Sequence, residues 1–192
     1  MRTVAALYVD PRGPYPSMPG VECWDESRDA RTYAGPHPVV AHPPCGPWGM
    51  MQHLSKNQDP TCGPAGVESV RRWGGVLEHP AHSKLWLACG LPKPGELPDA
   101  WGGVAFLVNQ VDWGHVARKP TWIYVVGMRP DRYPRMPRRE PTHWVGGTRD
   151  QRKATQRGVI PEGVKACSAQ QRRRTPAAFA EFLVDLARQV RR

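Results

Sequence analysis

Pro38-Val39-Val40-Ala41-His42-Pro43-Pro44-Cys45 reads as a short buried strand that runs straight into a rigid turn. Three apolar residues without a breaker suit a strand covered on both faces. The two prolines restrict the backbone and remove two amide donors, so the chain must leave the sheet there. Similar segments lie on either side. Thr3–Asp10 is an apolar strand ending in an acid, and a Pro/Gly-rich loop follows it to Gly20. Val21–Trp24 is a second strand, with Asp25 and Glu26 after it. Residues 46–63 form a polar loop, Ala65–Trp73 a helix, and Gly75–Leu77 a strand with Glu78 at its end. A helix over Ser83–Ala88, a Pro-rich loop over 92–98 and strands over Val104–Val108 and Thr121–Val126 follow. Thr175-Pro176 opens a last helix with Thr at the N-cap, and Phe179, Phe182, Leu183, Leu186 and Val190 share one face of it. Short apolar strands alternating with helices predict an α/β fold with a mostly parallel sheet. Ligands of such sheets sit beyond the carboxyl ends of the strands, where Asp10, Asp25, Cys45 and Glu78 fall.

A chain of 192 residues is enough for one core with a small appendage. Hydrophobic residues make up 40% and include eight Trp, which argues against disorder, while 22 Pro and 19 Gly predict many loops. No apolar run is long enough to span a bilayer, and Val4–Val9 is too short for a signal peptide, so no membrane partner is expected. Five Cys without a regular framework fit a reducing cytoplasm. The charge is segregated. Residues 1–128 carry 11 basic and 11 acidic side chains, whereas residues 129–192 carry 16 and 6, which accounts for the whole +10. A basic surface concentrated in one third of a chain favours a polyanion, most often nucleic acid. A solubilising tail is the simpler alternative.

Cys45 is the candidate nucleophile, since a rigid turn at a sheet edge can present a thiol. Otherwise it packs as a small hydrophobe. A metal site from His42, Cys45, His53 and Cys62 has suitable ligand types, but its spacings match no compact zinc pattern, and no metal is expected. Glu78, at the end of an apolar strand, is expected to be desolvated and raised in pKa, which suits it to the N3 and amine edge of cytosine. Arg118 and Lys119 are cations for a phosphate or a polarised carbonyl, or, taken by themselves, a surface pair. Trp48 and Trp113 are candidates for stacking on a base or an adenine, with a place in the buried core as the alternative.

In this order the motifs resemble those of DNA cytosine-C5 methyltransferases. Pro43-Pro44-Cys45 matches the family's Pro-Pro-Cys, and Glu78-His79-Pro80 retains the Glu of its Glu-Asn-Val. Trp113-Gly114-His115-Val116-Ala117-Arg118-Lys119 followed by Ile123–Gly127 is similar to its aromatic-Gly-x-Pro-Gln-Arg-Arg signature and the strand after it. The chain has Asp10-Pro11-Arg12-Gly13-Pro14-Tyr15 where the family has Phe-x-Gly-x-Gly, and only residues 128–174 stand in place of its large recognition domain. The resemblance implies a Rossmann-like methyltransferase sheet over residues 1–128, a small basic appendage over 129–174 and a closing helix over 175–192. It implies catalysis by Cys45, Glu78 and Arg118 on a flipped cytosine, with S-adenosylmethionine as cofactor. Asp10, Gly13, Tyr15, Glu22, Trp24, Asp25, Asp29 and Pro43 would line the cofactor. Lys119, Arg138, Arg139, Arg149, Arg152, Lys153, Arg172 and Arg173 would hold double-stranded DNA, with a partner subunit as a further source of DNA recognition. Short chains of this kind are typical of bacteriophage and prophage genomes, which implies action in a bacterial host cytoplasm. Two alternatives stay open at this point: a nucleic-acid-binding protein that has lost catalysis, and a C5 enzyme acting on RNA or free deoxycytidine nucleotide.

Overall fold

Six apolar segments pair into one sheet: β1 (Val4–Leu7), β2 (Val21–Trp24), β3 (Val39–Ala41), β4 (Gly75–Pro80), β5 (Val104–Asn109) and β6 (Pro120–Val126). The computed structural model describes residues 1–49, 52–55, 57–129, 132–134, 137–144 and 164–191. The strand order is β2-β1-β3-β4-β6-β5. β1 lies parallel to β2 and β3, and β3 lies parallel to β4. β6 is antiparallel to both β4 and β5. The protein is therefore α/β with a mostly parallel sheet. The one reversed strand has a simple cause: the connection 110–119 is shorter than the roughly dozen residues a parallel crossover needs.

The chain leaves β1 toward β2 on one side and returns to β3 on the other. The crevice beyond the carboxyl ends of β1 and β3 is thus a topological switch point, the usual ligand position in such sheets. Helix α1 (Cys62–Trp73) covers one face, where Val67 and Val70 pack with Ala5, Leu7, Val39 and Leu77. The short helix α2 (Lys84–Ala88) adds Leu85 and Trp86 to that face. On the opposite face Phe179, Leu183, Leu186 and Val190 pack with Val4, Ala6, Val40 and Val76. All but Val190 of those four belong to helix α4 (Ala177–Gln189), and Val190 is its C-cap. Strand alternation makes this division: Val39 and Leu77 look toward α1, while Val40 and Val76 look toward α4.

Several boundaries differ from the sequence expectation. β4 continues through Glu78 and His79 to Pro80, because β6 pairs with all six of its residues, Glu78 opposite Ile123 and His79 opposite Trp122. Glu78 is therefore held inside a paired strand rather than at a free end. Gly75 begins that strand with φ +121, and a Cβ there would stand 2.0 Å from the Val39 carbonyl oxygen, so only glycine fits this approach. Helix α1 starts at Cys62, ahead of the expected Ala65. Helix α4 starts at Ala177 with Pro176 as its N-cap, so Thr175 does not cap it.

Within the basic segment, β7 (His143–Trp144) pairs in parallel with β8 (Lys165–Ala166). Helix α3 (Ala169–Arg173) follows, opened by a reciprocal capping box between Ser168 and Gln171. This segment is tied to the body: His143 N–H donates to the Val116 carbonyl (2.9 Å), and buried His115 links the carbonyls of Ala117 and Gln171. Among the described residues no helix is long and apolar enough to cross a membrane.

Candidate active site

His42 follows Val40 by two residues and Glu78 follows Val76 by two, so alternation directs both to the α4 side of the sheet at neighbouring strand ends. His42 Nδ1 lies 2.8 Å from Glu78 Oε2, and both side chains are only 12% exposed. The other ring nitrogen of His42 hydrogen-bonds the Tyr15 hydroxyl. Gln110 Nε2 donates to Glu78 Oε1 (3.1 Å) and also to Thr121 Oγ1 (3.1 Å). Thr121 Oγ1 in turn donates to the Lys119 carbonyl (3.0 Å). Tyr15, His42, Glu78, Gln110 and Thr121 therefore form one chain of hydrogen bonds. It joins the loop after β1, the end of β3, the body of β4 and the connection into β6.

The electrostatics follow from this chain. Burial alone would push the Glu78 carboxyl up; the hydrogen bond and charge of His42, with Lys119 and His79, outweigh it and hold the group down at about 2. Glu78 is an anion at neutral pH, contrary to the raised value expected of a strand-end acid. Desolvation can be anticipated from the strand's apolar sequence, whereas His42 and Gln110 reach Glu78 from distant stretches of the chain. Tyr15 is pushed well up by burial and by the Glu78 charge, so it remains a phenol. His79 points to the α1 side, fully buried, and burial brings its imidazole down to about 4. The Pro44 carbonyl and the Glu78 charge pull the other way, yet neither ring nitrogen makes a well-formed hydrogen bond. His79 is thus a neutral packing element beneath the Pro43-Pro44 turn.

Cys45 is exposed just beyond this network. Its carbonyl accepts the amides of Trp48 (3.1 Å) and Gly49 (2.8 Å), and the Trp48 carbonyl accepts the Lys84 amide (2.9 Å), which pins the turn to α2. Burial by the surrounding loop and the Glu78 charge push the thiol up, while Lys119 pulls it down. Lys119 is therefore the cation whose charge reaches both Cys45 and Glu78. Arg118 points outward and meets Glu140 at 3.5 Å, with both side chains largely exposed. Of the two, it is therefore Lys119, expected among the nucleic-acid contacts, that bears on the thiol, while Arg118, expected in catalysis, faces outward. Consecutive residues entering a strand face opposite ways, and it is Lys119 that turns inward.

The residues expected around a cofactor divide differently. Tyr15 is 3% exposed and hydrogen-bonds His42 within the His42–Glu78 network. Asp10 is exposed and is held below the ordinary carboxylate range by the Arg12 amide and side chain. Gly13 closes a turn onto the Asp10 carbonyl (2.8 Å). Pro43 is buried against α1 near Gly66. Glu22 pairs with Arg28 (3.0 Å), and Arg28 also lies 3.9 Å over the Trp24 ring. Asp25 accepts from Ser27, and Asp29 grips Arg31 through both oxygens (2.8 and 2.9 Å). Two donors nearby lack partners: the Tyr8 hydroxyl and the Trp24 indole N–H, at the ends of β1 and β2. Such buried donors without a partner have hydrogen-bonding capacity left to offer a ligand that carries acceptors.

Trp113 stacks on Phe182 (4.5 Å between centroids) and tilts against Phe179 (5.5 Å), which places it in the packing under α4. Trp48 packs on α1 with its indole N–H buried and unpartnered. Arg138, Arg139, Arg172 and Arg173 are exposed, and the Arg139 amide donates to Asp112 (2.9 Å). Arg149, Arg152 and Lys153 lie outside the described residues. Among the described residues no group of three or more His, Cys, Asp or Glu is placed to hold a metal ion. His42 had a legible signal in its strand parity with Val40. Gln110 had none, because its partner is 32 residues away. No protein-family model and no curated protein matches the chain.

Proposed function

We propose that the chain is a DNA cytosine-C5 methyltransferase on a Rossmann-like sheet, with Cys45 attacking C6 of a flipped cytosine. One observation carries this reading. A solvent-facing thiol, an ionised carboxylate fixed by two donors and a lysine charge acting on both converge at the switch-point edge of a mostly parallel sheet.

Flipping is required because C6 is not accessible within the base stack. The Cys45 thiol is protonated at rest, so its proton leaves as the C6–S bond forms, and Lys119 favours the thiolate. Glu78, ionised at rest, accepts from the exocyclic amine and passes to N3 the proton that Cys45 gives up, which stabilises the adduct. C5 then takes the methyl group, and loss of the C5 proton expels Cys45. S-adenosylmethionine supplies an electrophilic methyl group when bound. The Tyr8 hydroxyl, the Trp24 indole N–H and the acids Glu22 and Asp25 would hold it. Arg118 joins Arg138, Arg139, Arg172 and Arg173 on the surface that would hold phosphates, making binding weaker as salt rises.

A second reading, nucleic-acid binding without transfer, is favoured by the engagement of Glu22 and Asp29 with neighbouring arginines, which leaves them less available to a cofactor. Nucleoside mass spectrometry of DNA from cells expressing the protein separates the two. Wild-type protein is expected to yield a modified cytosine and Cys45→Ala none. Unmodified DNA beside tight, salt-sensitive binding that survives Cys45→Ala would favour the binding reading. A modified base found only in RNA or nucleotide pools would redirect the substrate assignment.

A further inference from the structure

We propose that Arg28 is an internal occupant of the cofactor edge: its guanidinium lies where a nucleoside-bearing cofactor would meet Trp24 and Glu22, and it swings away when that ligand binds. This rests on the cofactor reading above for the identity of the ligand, while the occupation itself is given by the contacts of Arg28.

β2 is an edge strand, and Glu22 and Trp24, two residues apart on it, point to the same face. The turn after the strand brings Arg28 back over both. Asp25 Oδ1 accepts the amides of Ser27 (3.0 Å) and Arg28 (3.2 Å) and the Ser27 hydroxyl (2.6 Å), which closes that turn. The Arg28 side chain then makes three contacts. Nη2 donates to Glu22 Oε1 (3.0 Å), Nη1 donates to the Cys23 carbonyl (3.0 Å), and the guanidinium carbon stands 3.9 Å from the centre of the Trp24 ring. Trp24 is fixed from within: it packs against the core on the α1 side and meets Tyr33 nearly at right angles, 5.2 Å between centroids. The ring is thus part of the frame, and Arg28 is the movable partner.

Arg28 covers these groups without completing them. A guanidinium has donors and no acceptor, so it cannot serve the buried indole N–H of Trp24, which has no partner. The Tyr8 hydroxyl, at the end of the adjacent strand β1, is buried and unpartnered as well, and the Tyr8 amide is tied to the Trp24 carbonyl (2.8 Å). Buried donors without an acceptor cost free energy that a ligand bearing acceptors recovers. Arg28 is also lightly held. Its side chain is 45% exposed, and an ion pair at the surface contributes little. A nucleoside offers what the guanidinium lacks: a flat ring for the Trp24 face, hydroxyls for Glu22 and acceptors for the two donors. A sulfonium cofactor carries, besides, the same charge that Arg28 now places there.

Calorimetric titration of the full chain tests the assignment, with two probes: S-adenosylmethionine, and S-adenosylhomocysteine, which lacks the methyl group and the sulfonium charge. Arg28→Ala is expected to bind both roughly threefold to tenfold more tightly than wild type, because the fraction of molecules with the position open rises. Tightening toward S-adenosylmethionine alone overturns the proposal, since loss of a positive charge by itself favours a cationic ligand and leaves the other unchanged. Equal affinities of wild type and variant overturn it too, placing Arg28 off the ligand's position. Weaker binding by the variant does the same, making Arg28 a ligand contact. In those three cases the cofactor reading stands. If neither protein binds either compound while both unfold cooperatively in urea, the cofactor reading fails and the role given to Arg28 falls with it.

Discussion

β4 beside the end of β3, and β2 with the turn that follows it, both carry acids toward the same edge of the sheet, yet they handle charge in opposite ways. At β3 and β4 a single nearly buried carboxylate is fixed through both oxygens by groups from distant parts of the chain. At β2 the acids Glu22, Asp25 and Asp29 are satisfied by residues two to six positions away, in exposed pairs and turns. Burial is what separates them. A carboxylate removed from water depends on its partners for ionisation, so its partners define its chemistry. An exposed acid is solvated whether or not an arginine lies beside it, and such a pair contributes little. Only the first arrangement is a device; the second leaves acids that can exchange a neighbouring arginine for a ligand.

The largest effect is expected from Glu78→Gln. It should lower methyl transfer by roughly 10²–10³-fold, measured in single turnover, since a neutral amide cannot move a proton to the ring. The same variant tests the linkage. The Glu78 carboxyl sits lower in the folded protein than in the unfolded chain. Its stabilisation is therefore complete above the ordinary carboxylate value of about 4.3 and is lost as pH falls from there toward about 2. Urea denaturation should show wild type losing more stability than Glu78→Gln between pH 5 and pH 2; equal losses would mean that the carboxylate is not held by its donors.

The comparison within the pair Arg118 and Lys119 comes next. Lys119→Met should slow alkylation of Cys45 by iodoacetamide several-fold at pH 7.5, because the cation opposing the upward push on the thiol is gone. Arg118→Met should leave that rate unchanged. Equal effects would erase the inward and outward distinction. The smallest effect is expected at β2: Glu22→Gln breaks the exposed pair with Arg28 and should change unfolding free energy by no more than about 0.5 kcal/mol, read from chemical denaturation. A larger loss there would mean that the two edges are less different than their burial implies.

Much of the fold was legible in the sequence. Apolar runs bounded by Pro and Gly marked all six strands, and the 3.6-residue spacing of Phe179, Leu183, Leu186 and Val190 marked the face that α4 presents to the sheet. Helix α1 was foreseen but not its start, and the length of β4 was missed because its last residues pair with a strand forty positions on. For the site, Cys45 and Glu78 could be named from the turn and the strand that carry them. That Tyr15 hydrogen-bonds His42, and that the charge of Lys119 reaches the thiol and the carboxylate, depends on contacts between distant stretches and had no local signal.

The sequence by itself determined the elements, the segregation of charge into residues 129–192 and the presence of a thiol in the turn after β3 and an acid on β4, since these depend on local periodicity and on residue type. Tertiary structure alone decided that Glu78 is an anion, that His42 and Gln110 hold it, and that Lys119 rather than Arg118 turns inward. The physical reason is that ionisation and orientation are set by what stands within a few ångströms in space, and those groups come from four separate stretches of the chain.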